Sequence, residues 1–267
     1  MIGGTAVVAF KAAILGVIEG LTEFLPVSST GHLIVASRAL GWESPAFEIF
    51  IQVGAMLALT WVYRGEIVRL VSEAPSRAPA RMFLLKVLVA FLPAALVGVV
   101  AHHWIEEHLF VPGFVAATFL IGGILLLVLD GPGRGGGLVD LERMSFTQAI
   151  VIGIGQVLSL LPGVSRSGAT IITGLLSGLQ RRAATEFSFF LALPTMYAAC
   201  LFTLWKTRHD LGGQLGVAMI VGLVAAFLSA LVVIHAFLRF VENNSLRPFG
   251  WYRIAAALAV IAWLVLF

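Results

Sequence analysis

Apolar residues occupy this chain in long runs that contain few charges. Six of these runs are near the length of about 20 residues that an α-helix needs to cross a bilayer core. They lie at 46–63, 82–101, 112–129, 186–205, 214–238 and 251–267. A membrane barrel would instead show alternating strands of about 10 residues. The pattern predicts an all-α polytopic membrane protein with six transmembrane helices, forming a single integral membrane domain over 1–267.

Two further apolar stretches, 5–40 and 146–179, are each broken near the middle. Each break combines a proline with glycine and hydroxyl residues: "LPVSSTGH" at 25–32 and "LPGVSRSGAT" at 161–170. Broken backbone at membrane depth is tolerated only where protein buries it or where it lines a water-filled cavity. We therefore interpret both stretches as re-entrant helix–loop–helix hairpins.

The two broken stretches resemble each other. "EGLTEFLPVSSTG" aligns with "QVLSLLPGVSRSG", with a slip of one residue at the proline, so that Glu19 corresponds to Gln156 and Ser28 to Ser165. Three full spans separate the motifs. Because this number is odd, the second copy has the opposite orientation in the membrane. The sequence thus predicts an inverted-topology repeat with a site where the hairpins meet. Its halves are 1–130 and 138–267, joined by a glycine-rich loop at 131–137.

Composition agrees with a membrane protein. Hydrophobic residues make up 60% of the chain and charged residues 12%, whereas soluble domains carry about 25% charged residues. A net charge of +3 does not indicate a nucleic-acid partner. The single cysteine, Cys200, excludes an internal disulfide. Membrane lipids are the expected surroundings, and a homo-oligomer is compatible with the sequence.

Basic residues between the apolar runs predict the orientation, because lysine and arginine accumulate in cytoplasmic loops. Ten fall on one side and three on the other: Arg64, Arg69, Arg77, Arg81, Arg134, Arg143, Arg181, Arg182, Arg239 and Arg247 against Arg38, Lys206 and Arg208. The first hairpin, both termini and the 102–111 loop are therefore predicted to face outward, away from the cytoplasm.

Two carboxylates, Glu19 and Glu23, lie in the apolar first half of the first hairpin. Four residues apart, they share one helix face. Ionised carboxylates in a membrane are expensive enough to indicate function, and two together repel unless a cation or proton lies between them. Mg²⁺ or Ca²⁺ fits, since either can be bound by few carboxylates together with substrate phosphates. The structural alternative is one protonated carboxyl hydrogen-bonded to the other.

After Pro26 comes a cluster of hydroxyls and an imidazole: Ser28, Ser29, Thr30 and His32. Serine and threonine before a helix act as N-caps, and a helix N-terminus binds anions. His32 lies one helical turn from Ser28 and Ser29, and a serine beside an imidazole is the usual nucleophile pairing. A purely structural cluster is the alternative, although a cap needs only one hydroxyl.

The second hairpin places a charge, Arg166, among the hydroxyls of Ser165, Ser167 and Thr170. A guanidinium fork matches phosphate with two hydrogen bonds. A salt bridge to Glu23 is the structural alternative, and it is compatible with the same site. Metal, hydroxyls and arginine together predict an outward-facing anion site. A phosphorylated lipid is its natural ligand, because the headgroup can reach the site while the tail stays in the bilayer.

These residues also carry a family resemblance. "EGLTEFLPVSSTGH", followed about 137 residues later by "PGVSRSGAT", is similar to the paired motifs of the BacA-type undecaprenyl-pyrophosphate phosphatases, the bacitracin resistance proteins. The resemblance implies six spans plus two re-entrant hairpins in the bacterial cytoplasmic (inner) membrane, with a site that faces the periplasm. It implies metal-dependent release of one phosphate from undecaprenyl diphosphate. That reaction recycles the carrier lipid for peptidoglycan synthesis, and overproduction of the enzyme confers bacitracin resistance.

The same resemblance assigns roles to the residues of both motifs. Glu23, Ser29, His32 and Arg166 are the expected catalytic residues; Ser28, Thr30, Ser165, Ser167 and Thr170 are expected to bind substrate; and Glu19 and Glu23 are the expected metal ligands. Ser29 and a water molecule remain alternative attackers of the phosphorus.

Other kinds of protein use some of the same residue types. A PAP2-type lipid phosphatase needs a histidine soon after its Ser-Arg pair, but the next histidine after Arg166 is His209. A transporter that flips the polyprenyl phosphate carrier is suggested by the repeat, although fold symmetry alone does not establish transport. "HHWIEEH" at 102–108 misses the spacing of zinc motifs and is interpreted as a polar cap on a span.

Overall fold

The chain folds into helices in a computed structural model that describes residues 2–130, 137–206 and 215–266. Within these ranges there are ten α-helices and no β-strand, which confirms the all-α prediction. The helices are α1 (Ile2–Thr22), α2 (Ser29–Ala39), α3 (Pro45–Glu73), α4 (Ala78–Leu109), α5 (Pro112–Leu129), α6 (Phe146–Val157), α7 (Arg166–Leu176), α8 (Arg181–Lys206), α9 (Leu215–Asn243) and α10 (Arg247–Leu266). Most of the predicted glycine-rich loop, together with Arg134 and Arg208, lies outside the described residues.

Six helices of the described chain are long and apolar enough to cross a membrane: α3, α4, α5, α8, α9 and α10. They correspond to the six predicted runs, so a multi-pass helical membrane protein is confirmed. The helix α3 continues well past its apolar run to Glu73. Its last turns are polar and are held by ion pairs, with Glu73 Oε2 lying 3.1 Å from Arg69 Nη1 and 2.7 Å from Arg77 Nη1.

The two interrupted stretches form helix–break–helix units, α1–α2 and α6–α7. Helix α1 ends before Pro26, and α6 runs into a 3₁₀ turn that ends before Pro162. Proline has no N–H to donate and disfavours helical backbone at the residue before it. Both interruptions therefore fall where the sequence predicts them.

Ser28 and Ser165 cap α2 and α7 with the same unusual backbone. Their φ angles are 71° and 74°, and they are the non-glycine residues with positive φ in the described ranges. Each Oγ accepts a hydrogen bond from the N–H three residues later, Gly31 at 3.4 Å and Gly168 at 3.1 Å. The sequence repeat thus has a matching local geometry.

Helix packing follows a matched pattern: α1 packs along α9 and α6 along α4, while α5 packs on α10 and α3 on α8. Glycines allow the close approach in the first two pairs. A Cβ at Gly16 would lie 2.2 Å from the carbonyl oxygen of Gly222, and one at Gly153 would lie 2.5 Å from that of Ala90. Small residues at helix contacts bring backbones together in membrane proteins, and here they hold both broken units inside the bundle.

Candidate active site

The two breaks meet in the interior of the protein. The Oγ of Ser167 donates to the carbonyl oxygen of Leu25 at 2.6 Å, and the Oγ of Ser165 reaches the same oxygen at 3.5 Å. The two hydroxyls also hydrogen-bond to each other at 3.1 Å, and both residues are buried. These serines, predicted to bind phosphate, therefore also join the second break to the first.

A chain of polar contacts crosses from one break to the other. The Oγ of Ser29 donates to Oε2 of Glu23, and Arg166 Nη2 lies 3.1 Å from Oε1 of the same carboxylate. Arg166 Nη1 donates to the backbone oxygen of Ser188 on α8 at 3.0 Å, and the hydroxyls of Ser188 and Thr170 are 2.6 Å apart. One buried carboxylate is thus shared by a hydroxyl and a guanidinium, and the salt bridge considered as an alternative for Arg166 is present.

A cavity of about 180 Å³ opens beside this chain. Its lining includes the first residues of α2 and α7, among them Ser29, Thr30 and Arg166. The first N–H groups of a helix have no partner within the helix and carry partial positive charge. Two helix N-termini at one cavity, together with Arg166, therefore favour an anion. Gln52 and Thr195 add polar groups on the facing helices.

Glu19 is fully buried and is not among the described residues that line the cavity. Neither of its carboxylate oxygens has a hydrogen-bond donor among the described residues, but the carboxylate lies close enough to that of Glu23 to share a proton, with Glu48 and Arg166 also near. A buried carboxylate without donors is costly unless a cation or proton compensates it. These oxygens fit either the predicted divalent cation or the alternative of a proton shared with Glu23. The described residues contain no cluster of three or more acidic, histidine or cysteine side chains that could hold a metal ion.

His32 is directed away from Ser29. Its Nδ1 lies 2.7 Å from the carbonyl oxygen of Ser28, and its Nε2 lies 2.6 Å from the hydroxyl of Tyr252, with the two rings stacked. A neutral imidazole that donates from Nδ1 to the carbonyl must accept at Nε2 from the tyrosine. The hydroxyl of Ser29 is paired with Glu23 in this arrangement and not with the imidazole.

Three residues that contact the site were not singled out from the sequence: Ser188, Tyr252 and Arg253. Ser188 and Tyr252 gave no local signal, because each reaches the breaks only through tertiary packing. Arg253 did give one, since an arginine inside an apolar span indicates function or a special structural role. It is 1% exposed and contacts the backbone of both breaks.

A larger cavity of about 420 Å³ lies near the N-terminal end of α4, where Phe83 lines it. The smaller cavity lies at the C-terminal end of α4, where Phe110 lines it. Its charged lining is internally paired: Arg69 Nη2 contacts Glu66, and lies 3.2 Å from Oε1 of Glu142. Its described lining includes none of the predicted site residues. The smaller cavity is therefore the candidate active site.

Fold and site together define a multi-pass helical membrane protein with a buried hydroxyl–carboxylate–guanidinium centre suited to an anion. Comparison with known families then identifies the group. The chain belongs to the bacitracin resistance protein BacA family, whose profile matches residues 12–259. The resemblance noted in the paired motifs is confirmed.

Similar proteins cover nearly the whole chain. The undecaprenyl-diphosphatase of Bordetella avium is 45% identical over 276 residues, covering 95% of this chain and 96% of the relative. Undecaprenyl-diphosphatase 2 of Rhodospirillum rubrum is 45% identical, covering 96% of this chain and 95% of the relative. The undecaprenyl-diphosphatase of Nitrosospira multiformis is 46% identical, covering 94% and 93% respectively.

Proposed function

We propose that this protein hydrolyses undecaprenyl diphosphate to undecaprenyl phosphate and inorganic phosphate. The observation that carries the proposal is the buried chain Ser29–Glu23–Arg166 beside a cavity lined by two helix N-termini. Membership of the BacA family and the names of the relatives support the same substrate.

In the proposed reaction, Ser29 attacks the terminal phosphorus. Glu23, which already accepts the hydrogen bond of Ser29, takes the hydroxyl proton as the bond from Oγ to phosphorus forms. The bond from that phosphorus to the bridging oxygen breaks, and undecaprenyl phosphate leaves with the electron pair. Water then attacks the phosphoserine and gives a proton to the released phosphate, while Ser29 recovers its proton from Glu23.

Arg166 stabilises the charge that develops on the transferring phosphoryl group. Its Nη1 contacts Ser188 and its Nη2 contacts Glu23, while its Nε is buried without a hydrogen-bond partner among the described residues. His32 retains its predicted acid/base role in this scheme only if it leaves Tyr252. The geometry favours Glu23 over His32 as the acceptor of the proton from Ser29.

The metal assignment is part of the proposal. Glu19 and Glu23 would hold Mg²⁺ or Ca²⁺, for which oxygen donors are the preferred ligands, with substrate phosphates completing the coordination. When bound, the cation would neutralise charge on the diphosphate. Glu19 is the better placed of the two, because both oxygens of Glu23 already have partners.

The re-entrant, inverted-repeat topology is also proposed. It is supported by the matched N-caps at Ser28 and Ser165 and by the matched packing of α1 on α9 and α6 on α4. The loop charges support a site at the periplasmic face of the bacterial inner membrane. In that position the protein recycles the carrier lipid for peptidoglycan synthesis, which accounts for bacitracin resistance on overproduction.

Purified protein in detergent or in vesicles tests the function with undecaprenyl diphosphate as substrate. Inorganic phosphate and undecaprenyl phosphate should appear in equal amounts. A transporter of the carrier would move the lipid between leaflets and leave the diphosphate intact, and that result would reject the phosphatase.

A further inference from the structure

The buried side chain of Arg253, on α10, is surrounded by backbone carbonyl groups. Its three guanidinium nitrogens lie within hydrogen-bond distance of five of them. The acceptors are Pro26 (3.3 Å) and Val164 (2.9 Å) for Nη1, Thr118 (2.8 Å) and Gly163 (2.8 Å) for Nη2, and Phe119 (3.4 Å) for Nε. The residue therefore makes contacts with both breaks and with α5.

No carboxylate lies within ion-pair distance of Arg253 among the residues that the structure describes. Its charge is compensated by carbonyl dipoles and by the ring of Phe119, whose centroid is 5.5 Å from Cζ. An unpaired charge at membrane depth is expensive, and carbonyl groups freed by a broken helix are also expensive when no donor satisfies them. The carbonyl groups compensate the charge of Arg253, and the guanidinium donates to the carbonyl groups. One arginine therefore stabilises the irregular backbone of both breaks.

Two of the five carbonyl groups that Arg253 contacts occupy equivalent places in the two breaks. Pro26 lies two residues before the N-cap Ser28, and Gly163 lies two residues before the N-cap Ser165. One guanidinium therefore fixes the same point of both breaks relative to each other. The residues directly after the caps, Ser29 and Arg166, are those whose alignment the chemistry requires.

We propose that Arg253 is a positioning residue for the phosphatase reaction, in which it holds the two breaks in the register that brings Ser29 and Glu23 opposite Arg166. The inference rests on the proposed function. Arg253 is not among the described residues that line the 180 Å³ cavity, so it acts through the backbone and not on the substrate.

The test uses two variants that disturb the contact in different ways. Arg253→Lys keeps the charge but cannot donate to five carbonyls from a planar fork. Gly122→Ala keeps the arginine but displaces it, because a Cβ at Gly122 would lie 2.2 Å from Nη2 and 2.5 Å from Cζ. Arg247→Lys is the matched control, since it makes the same substitution at an exposed position of the same helix.

Initial rates with undecaprenyl diphosphate and thermal unfolding in the same detergent are measured for the parent and the three variants. A misalignment of about 1 Å can lower a rate ~10²-fold, so we expect kcat of Arg253→Lys and Gly122→Ala to fall at least ~10-fold per folded molecule. KM should change less than kcat, because no substrate contact is removed, and Arg247→Lys should match the parent.

A parental kcat in Arg253→Lys, or a loss of rate that only follows the loss of folded protein, would overturn this inference. Those results would leave the proposed function intact as long as the parent releases phosphate. Absence of phosphate release by the parent itself would instead reject the proposed function.

Discussion

At the scale of single residues, Glu23 is the most constrained group of the site, because each of its oxygens has a different partner. One accepts from the hydroxyl of Ser29 and the other from Arg166 on the opposite break. Its side chain is 7% exposed, so water cannot replace either partner freely. In the proposed reaction, this arrangement couples the transfer of the Ser29 proton to Glu23 with the charge of Arg166.

The first prediction at this scale concerns the hydroxyl of Ser29, the proposed nucleophile. Ser29→Ala should lose at least ~10²-fold in rate, the scale of removing one preorganised catalytic partner. Ser28→Ala should be milder, because the Ser28 hydroxyl caps α2 and an N-cap contributes about 1 kcal/mol. Acid quenching of the parent during turnover should trap phosphoserine at Ser29. Substantial turnover by Ser29→Ala would assign the attack to water and make Ser29 a phosphate-binding hydroxyl.

The unpaired oxygens of Glu19 lead to a prediction about metal. Mg²⁺ or Ca²⁺ should raise the thermal unfolding temperature of the parent, since a ligand that binds only the folded state stabilises it. Glu19→Gln should weaken this effect, and excess chelator should abolish phosphate release by the parent. Full turnover in chelator would exclude the metal role, and an unchanged metal response of Glu19→Gln would remove Glu19 from the ligand set.

At the scale of helices, the position of the first broken unit depends on close packing of α1 on α9. Gly16→Ala introduces a Cβ 2.2 Å from a backbone oxygen that cannot rotate away, so the helices must separate. Overpacking of this kind costs about 1–3 kcal/mol. The matched control is Gly65→Ala on α3, where a Cβ meets nothing within 4 Å and where alanine should favour the helix by up to ~1 kcal/mol. Equal unfolding temperatures for the two variants would contradict the packing argument.

The helices that cross the membrane could be predicted from the sequence, because apolar length is a direct requirement of the bilayer. The ends of these helices could not be predicted in the same way. The helix α3 extends to Glu73 through ion pairs between i and i+4 positions, which hydropathy does not register. The breaks were predictable from Pro26 and Pro162. The positive φ angles of Ser28 and Ser165 were not, because they depend on how the backbone enters the packed interior at each break.

Contacts between distant segments explain what the sequence missed in the site. The pairing of Glu23 with Arg166 could be anticipated from opposite charges in two matched motifs. The partner of His32 could not, because helical spacing brings its ring to the carbonyl group of Ser28 and not to a hydroxyl, and Tyr252 is separated from it by 220 positions. Arg253 was visible as a charge in an apolar span, but the sequence gives no indication of which carbonyl groups it contacts.

At the scale of the whole molecule, the orientation in the membrane is open to a direct test. Single cysteines at Ser72 and at His103, in a Cys200→Ser background, lie at opposite ends of the bundle and are exposed. An impermeant thiol reagent added to intact cells, with access through the outer membrane, should label position 103 and not position 72. Labelling of 72 alone would invert the orientation and place the site at the cytoplasmic face.

The central claim is that the two breaks assemble one phosphatase centre from Glu23, Ser29 and Arg166. The most direct measurement is the rate of phosphate release from undecaprenyl diphosphate by Arg166→Lys, with Arg247→Lys as control. Lysine keeps the positive charge beside Glu23, so the buried carboxylate is not left alone, but an ammonium cannot supply the guanidinium fork. We predict a loss of at least ~10²-fold for Arg166→Lys and a parental rate for Arg247→Lys. A parental rate for folded Arg166→Lys would contradict the claim.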